Sequence, residues 1–337
     1  MSSTTAERPV RDELRRIASD TAYAVRLAAG RVELPPATPS DGPDPYGNPD
    51  PEWLRIDWHE HLQQVDVVGA RVNYVEMGEG TPLLFIHGLS GCWQNWLENI
   101  PHFARTHRVV APDLPGFGGS PMPPWEITIP AYGRFVRDFC ERLAIDRCSI
   151  VGNSMGGFIA SEVAITEPER IDDLTLVSAA GITWASARKE PAEMFARVGR
   201  AAAPLALRFE LSAIRRPKIR DRAFRGVFDD PNRLRRELLW ENVVPAFQSP
   251  GYFDAMRNLV GYDIRDRLEE IGVPTLIVWG RNDRVVPVPA ALSYKKRVGE
   301  NAELVIFDRC GHVPQMERPV RFNRVLESFL ARRGELD

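Results

Sequence analysis

Short apolar runs alternate with longer stretches of helical length along most of the chain. Residues 63–68 and 71–76 each alternate apolar and polar side chains, and the Gly-Ala pair between them predicts a β-hairpin. Six further apolar runs predict buried strands, at residues 83–86, 108–111, 148–151, 174–177, 275–279 and 303–307. Because helix-length segments separate most of these runs, the pattern predicts the α/β class, with a mostly parallel sheet and helices on both faces.

Two regions break this alternation. Residues 1–60 hold a helical pattern at 10–31, followed by seven prolines between residues 34 and 51, which is typical of a linker or a wrapping arm. We expect this extension to pack on the body of the protein and to carry no catalytic group. Self-association into a homo-oligomer and contact with a membrane surface are the alternatives. The second region is an insertion at residues 181–261, between the sixth and seventh predicted strands.

The insertion is more basic than the rest of the chain. It carries 13 Arg and 2 Lys against 9 Asp and Glu, a net charge of +6, whereas the whole chain has a net charge of −3. Solvated helices with internal ion pairs are the favoured interpretation. The alternative is a surface that attracts anionic substrates or lipid headgroups.

A serine occupies the sharp turn after the fifth predicted strand. Residues 152–156 read Gly-Asn-Ser-Met-Gly and directly follow the apolar run 148–151. The glycines leave room for a tight strand-to-helix turn, which exposes the hydroxyl group of Ser154. The pattern therefore predicts a nucleophile elbow.

Two later turns supply the partners that such a serine needs. A serine hydroxyl is a weak nucleophile at neutral pH, so it requires a histidine base and an acid that fixes the histidine tautomer. Asp283 follows the run 275–279, and His312 follows the run 303–307. The order Ser154, Asp283, His312 is that of the α/β-hydrolase triad. We predict these residues as nucleophile, orienting acid and general base.

The loop after the third predicted strand completes the candidate chemistry. A tetrahedral intermediate of acyl transfer needs hydrogen-bond donors aimed at its oxyanion. Residues 87–91 read His-Gly-Leu-Ser-Gly and lie where one such donor is expected. We predict an oxyanion hole made of the backbone N–H groups of Leu89 and Met155.

Taken together, these motifs resemble those of the α/β-hydrolase-fold serine hydrolases, over roughly residues 65–330. The motifs that carry the resemblance are His87-Gly88, the turn 113–120, the turn 152–157, residues 280–283 and Gly311-His312. Dehalogenases and epoxide hydrolases of this fold have an aspartate nucleophile, so Ser154 argues against both. The resemblance implies a structural role around the site for four residues: His87, Gly88, Gly152 and Gly156.

The resemblance also implies a domain organisation and a reaction. Residues 181–261 become a helical cap over the active site, between core segments 61–180 and 262–337 and after the extension 1–60. The implied reaction is cleavage of carboxylic esters through an acyl-enzyme, with a small-molecule ester as the partner and no cofactor.

A finer resemblance leads to a second reaction. The run Gly152 to Gly157, Asn95 and Cys310-Gly311-His312 are similar to the meta-cleavage carbon–carbon hydrolases, which act on dienone carboxylates. Those enzymes usually have Trp after the histidine, where this chain has Val313, so we rank ester cleavage first. Monoacylglycerol-lipase-like enzymes share the pattern around His312, and a cofactor-free perhydrolase or a non-catalytic binding protein ranks lower. The candidate substrate-binding residues are Ser90, Asn95, Asn153 and Val313.

Composition excludes several other classes. No stretch reaches the ~18 uninterrupted apolar residues of a membrane span, and the amino terminus has no apolar core typical of a secretion signal. Four cysteines are too few for a disulfide framework. His59 and His61 have no evident third ligand, so we predict no metal site. We expect a cytoplasmic protein that binds no nucleic acid.

Overall fold

The computed structural model describes residues 34–182, 208–209, 211–247 and 249–334. Its strands are β1 Leu62–Val67, β2 Ala70–Met77, β3 Thr81–Ile86, β4 His107–Pro112, β5 Cys148–Asn153, β6 Ile171–Val177, β7 Thr275–Gly280 and β8 Ala302–Phe307. They form one sheet in the order β1-β2-β4-β3-β5-β6-β7-β8. Only the β1–β2 and β2–β4 pairs are antiparallel, which confirms the predicted mostly parallel sheet.

Helices connect the strands and flank the sheet. Among the described residues, the α-helices with both ends placed are α1 Ile100–Phe103, α2 Ile129–Arg142, α3 Met155–Thr166, α4 Pro217–Phe224, α5 Arg236–Phe247, α6 Tyr252–Leu259, α7 Pro289–Val298, α8 Pro314–Glu317 and α9 Pro319–Gly334. Short 3₁₀-helices lie at Glu52–Arg55, Trp58–Glu60, Trp93–Trp96, Pro168–Arg170, Pro231–Arg233, Arg265–Glu270 and Gly299–Asn301.

Helices α4, α5 and α6 lie between β6 and β7, within the segment predicted to form the cap. The helix predicted at residues 10–31 and residues 183–207 of the predicted cap lie outside the described residues. The division of the chain into four segments stays a prediction.

The central strands bury both of their faces. Leu84 and Ile86 of β3 belong to one apolar cluster, with residues of α2, α3 and α7. Leu83 and Phe85 belong to the opposite cluster, with residues of α1, α5 and α9. Successive side chains of a strand point to opposite faces, so a strand covered on both sides is apolar at every position. This explains the uninterrupted apolar runs and confirms helices on both faces.

The described part of the extension lies along one edge of the sheet. Thr38 N–H donates to the carbonyl of Ile306 at 2.8 Å, and Ile306 N–H donates to Thr38 Oγ1 at 2.9 Å. Asp44 pairs with Arg318 at 3.1 Å and with Arg321 at 3.4 Å. Residues 34–51 therefore pack on the body of the protein and cover part of the edge strand β8. We call residues 34–51 the arm.

Phe85 provides a test of this core. Its ring stacks on Trp96 with centroids 4.7 Å apart and lies 6.0 Å from the ring of Phe103. We predict that Phe85→Ala lowers the free energy of unfolding by about 3–5 kcal/mol, since the truncation leaves a cavity between sheet and helices. Leu54, which is 46% exposed, is the control, and Leu54→Ala should cost less than about 0.5 kcal/mol. Equal losses in urea unfolding would contradict the packing described.

Candidate active site

Ser154 occupies a strained turn between β5 and α3. Its φ is 54° and its ψ is −115°, a conformation that costs a non-glycine residue free energy. The end of β6 and the segment after it hold the turn, because Ser154 N–H donates to the carbonyl of Val177 at 2.9 Å and Ala180 N–H donates to the Ser154 carbonyl at 2.9 Å. The turn predicted from the sequence is therefore present, and it lies at the carboxyl ends of β5 and β6.

The glycines around Ser154 are required by close backbone contacts. A Cβ atom on Gly156 would lie 2.6 Å from the carbonyl oxygen of His87 and nearer still to that of Ile86. A Cβ atom on Gly152 would meet the backbone of Gly156 and come within 2.6 Å of the next amide nitrogen. Any side chain at either position would separate the start of α3 from the strands beneath it.

His312 and Asp283 form the predicted acid–base pair. Nδ1 of His312 lies 2.8 Å from Oδ2 of Asp283, and the Asp283 side chain is fully buried. Oδ1 of Asp283 accepts hydrogen bonds from the N–H groups of Val285 and Val286, each at 2.9 Å. Backbone N–H groups thus hold one oxygen of the carboxylate, and His312 Nδ1 holds the other. When His312 is neutral and its Nδ1 donates to Asp283, its Nε2 is a hydrogen-bond acceptor.

Asn153 connects the serine turn to the histidine loop. Its Nδ2 group donates to the carbonyl of Val177 at 3.0 Å and to the carbonyl of His312 at 3.3 Å. Both amide hydrogens of this buried side chain are therefore used within the protein. Asn153 therefore ties the His312 loop to the serine turn, and contact of this residue with substrate stays a prediction.

His87 fixes the loop predicted to supply an oxyanion donor. Its Nδ1 donates to the carbonyl of Gly88 at 2.8 Å, and its Nε2 accepts from Leu114 N–H at 2.9 Å. Burial lowers the pKa of His87 to about 4, so the ring is neutral at pH 7, as these two bonds require. A Cβ atom on Gly88 would lie 3.1 Å from Cβ of Ser154, which places this loop against the serine turn. The oxyanion donors, Leu89 and Met155, stay a prediction.

The other candidate substrate-binding residues lie around this loop and the histidine. Ser90 donates through Oγ to the carbonyl of Leu89 at 2.6 Å. Asn95 donates through Nδ2 to Oδ1 of Asn242 in α5 at 2.5 Å, so it joins the core to the inserted helices. Val313 is buried immediately after His312. Substrate contacts of these three residues stay predictions.

Two buried acids near the site were not identified from the sequence. Asp113 accepts hydrogen bonds from Trp93 N–H at 2.8 Å, Gly119 N–H at 2.7 Å and Asn73 Nδ2 at 2.9 Å. It begins one of the motifs of the resemblance, but no role was predicted for it. Glu317 accepts from Gly311 N–H at 2.9 Å. It belongs to the pattern around His312 that monoacylglycerol-lipase-like enzymes share, but no role was predicted for it.

Most of the chain matches a known protein family. Residues 81–319 match the family model described as the alpha/beta hydrolase fold. The chain belongs to the α/β-hydrolase family. This α/β hydrolase is 31% identical over 283 residues to 2-hydroxy-6-oxo-6-phenylhexa-2,4-dienoate hydrolase of Comamonas testosteroni. The aligned region covers 81% of this chain and 95% of that protein.

Solved structures show the same relationship. A membrane phospholipase A, described as a bacterial virulence factor, has 30% identity and a TM-score of 0.64, over 81% of this α/β hydrolase and 86% of that chain. A meta-cleavage product hydrolase of Pseudomonas fluorescens has 27% identity and a TM-score of 0.64, over 80% and 97% of the two chains. The predicted resemblance to α/β hydrolases and to meta-cleavage product hydrolases is confirmed. Among the described residues, no helix is both long and apolar enough to span a lipid bilayer.

Asp113 gives a pH-dependent prediction. Burial raises the pKa of Asp113 from 3.8 to about 6. Between these values the unfolded chain has lost this proton while the folded α/β hydrolase keeps it, so this group lowers stability as the pH rises through the window. We predict that Asp113→Asn makes the free energy of unfolding fall less steeply between pH 4 and pH 6 than it does in the wild type. Urea unfolding at several pH values measures the slope.

The control is the exposed carboxylate of Asp66 in β1, which lies 3.8 Å from Arg71. Asp66→Asn should leave the slope between pH 4 and pH 6 as it is in the wild type. A wild-type slope in Asp113→Asn, or an equal change in both variants, would contradict the assignment.

Proposed function

We propose that this α/β hydrolase is a serine hydrolase that cleaves carboxylic esters through an acyl-enzyme. The observation that carries the proposal is the buried His312–Asp283 pair at 2.8 Å, whose histidine loop is bonded by Asn153 to the turn that holds Ser154. A histidine with one ring nitrogen fixed on a buried carboxylate is suited to accept a proton at the other. The proposal needs no cofactor.

In the proposed reaction, Oγ of Ser154 attacks the ester carbonyl carbon and His312 Nε2 takes the hydroxyl proton. Asp283 stabilises the imidazolium that forms, while the N–H groups of Leu89 and Met155 bind the oxyanion. The carbon–oxygen bond to the alcohol breaks as His312 returns the proton to the leaving oxygen. Water, deprotonated by His312, then attacks the acyl-enzyme, and the acid and free Ser154 are regenerated.

Carbon–carbon hydrolysis of dienone carboxylates is the second candidate. The relative from Comamonas testosteroni and the solved meta-cleavage product hydrolase favour it through their names. Such a substrate requires a carboxylate site and close support for the dienone. The buried aliphatic side chain of Val313 follows His312 where an aromatic ring would be expected for that reaction. We therefore rank esters first, in agreement with the phospholipase A among the similar structures.

The nucleophile is tested by a fluorophosphonate probe. We predict that the probe labels Ser154 and that Ser154→Ala abolishes labelling and lowers kcat by at least about 10³-fold. His312→Ala should lose a similar factor, because triad members act as a unit, and Asp283→Asn should have a milder but still severe effect.

Ser161 is the control for Ser154, because it is a buried serine of α3, the helix that follows Ser154, and its Oγ donates to the carbonyl of Gly157 at 2.8 Å. Ser161→Ala should keep both labelling and turnover. Modification of a serine other than Ser154, or full turnover by Ser154→Ala, would refute the proposal.

The reaction class is tested by comparing kcat/KM on one preparation. We predict faster turnover of neutral 4-nitrophenyl esters of short and medium acyl chains than of a 2-hydroxy-6-oxohexa-2,4-dienoate. The physical reason is the lack of an aromatic side chain at Val313 to support the dienone. A preference of more than about tenfold for the dienoate, equivalent to ~1.4 kcal/mol at the transition state, would reverse the ranking.

A further inference from the structure

The carboxylate of Glu317 lies at the centre of the contacts that hold the His312 loop. The side chain is fully buried at the end of α8. Its Oε1 accepts hydrogen bonds from Gly311 N–H at 2.9 Å and from Val313 N–H at 3.4 Å. Glu317 therefore binds the backbone on both sides of His312.

The other oxygen of this carboxylate joins the histidine loop to the arm. Oε2 of Glu317 accepts from the hydroxyl of Tyr46 at 2.5 Å and from Asp229 N–H at 2.8 Å. The same hydroxyl accepts from Asp230 N–H at 2.7 Å. Gly47 N–H of the arm donates to the backbone carbonyl of Glu317 at 2.7 Å. One carboxylate thus connects the arm, the segment after α4 and the histidine loop.

The segment after α4 also holds the histidine directly. His312 N–H donates to the carbonyl of Val227 at 2.7 Å. Asn282, the residue before Asp283, donates through Nδ2 to Oδ1 of Asp229 at 2.9 Å. A shift of residues 227–230 would therefore be transmitted to both members of the acid–base pair.

Burial makes the Glu317 carboxylate depend on its donors. A carboxyl group removed from water is costly to ionise unless hydrogen bonds compensate. Burial raises the pKa of Glu317 to about 7, and the bonds from Tyr46 and from the backbone N–H groups of Asp229, Gly311 and Val313 act in the opposite direction. Loss of the Tyr46 hydroxyl would leave the carboxylate less compensated and free to move toward other donors.

We propose that Tyr46 and Glu317 are positioning residues for His312, and that the arm is therefore part of the machinery that holds the active site. Glu317 fixes the loop by binding the amides beside His312, and Tyr46 fixes Glu317. The effect on catalysis rests on the proposed function. The structural link between the arm and the loop does not.

Other anchors of the arm allow this role to be separated from simple docking. Thr38 bonds to β8 through its hydroxyl oxygen and backbone N–H, at a position far along the arm from Tyr46. The ring of Tyr46 has additional contacts that its hydroxyl does not make, with the guanidinium groups of Arg233 at 5.1 Å and Arg318 at 5.6 Å. Tyr46→Phe therefore removes the hydroxyl and keeps the ring, and Thr38→Val removes one arm hydrogen bond elsewhere.

The experiment measures two properties of the full-length wild type, Tyr46→Phe and Thr38→Val. The first is amide hydrogen exchange of residues 311–313, followed by mass spectrometry. The second is kcat and KM for 4-nitrophenyl butyrate. For Tyr46→Phe we expect at least about fivefold faster exchange at residues 311–313 and a kcat about tenfold lower, with KM within about twofold. For Thr38→Val we expect wild-type amide exchange at residues 311–313 and wild-type kcat and KM.

Each outcome decides the proposal. Unchanged exchange at residues 311–313 in Tyr46→Phe overturns the link between arm and loop, whether or not the protein cleaves esters. Faster exchange with unchanged kcat in Tyr46→Phe overturns the positioning role. Changes in exchange and kcat of the same size in Thr38→Val would also overturn it, because they would show that docking of the arm in general is what matters. If the wild type cleaves no ester, the proposed function fails, and exchange alone then decides the structural link. Glu317→Gln, which places an amide N–H₂ group among hydrogen-bond donors, should exceed Tyr46→Phe in both effects.

Discussion

The backbone conformation of Ser154 is the constraint on which the arrangement of the site depends. A residue with φ of 54° at the end of a buried strand persists only when its surroundings hold it. Here the end of β6 and the segment after it supply the bonds to the Ser154 N–H and carbonyl groups, and Gly156 lets α3 start against the end of β3. The turn therefore needs an assembled sheet, and the sheet in turn brings the loops after β3, β7 and β8 to the same edge.

Buried carboxylates then fix those loops. Asp113, Asp283 and Glu317 are buried, and each accepts at least two backbone N–H groups from loops around the site. A buried carboxylate without donors is costly, so each group favours the one loop conformation that satisfies it. Three loops that would otherwise be free to vary are held in this way. In this α/β hydrolase the electrostatic cost of burial therefore fixes the loops that carry the proposed acid–base pair.

The parts of this structure that local sequence patterns encode were predictable, and the contacts between remote segments were not. The first two strands followed from their alternating pattern and the other six from their apolar runs, and the order of Ser154, Asp283 and His312 followed from the turns after three of these six. Tyr46 and Glu317 are 271 residues apart, and Asn153 and His312 are 159 apart. Such bonds leave no periodic signal, so the arm was interpreted only as a linker or wrapping segment, and the bond between Asn153 and the histidine loop was not predicted. Choice between esters and dienones depends on pocket shape, which periodicity does not encode.

The proposed ester cleavage requires a covalent acyl intermediate on Ser154. The decisive measurement is the mass of the protein after rapid acid quenching during turnover of a 4-nitrophenyl ester, followed by peptide mapping. The account predicts a transient increase equal to the acyl group, located on Ser154, and a burst of nitrophenolate that matches it. An acyl group on another residue, or steady turnover in which neither adduct nor burst appears even when deacylation is slowed at low pH, would contradict it.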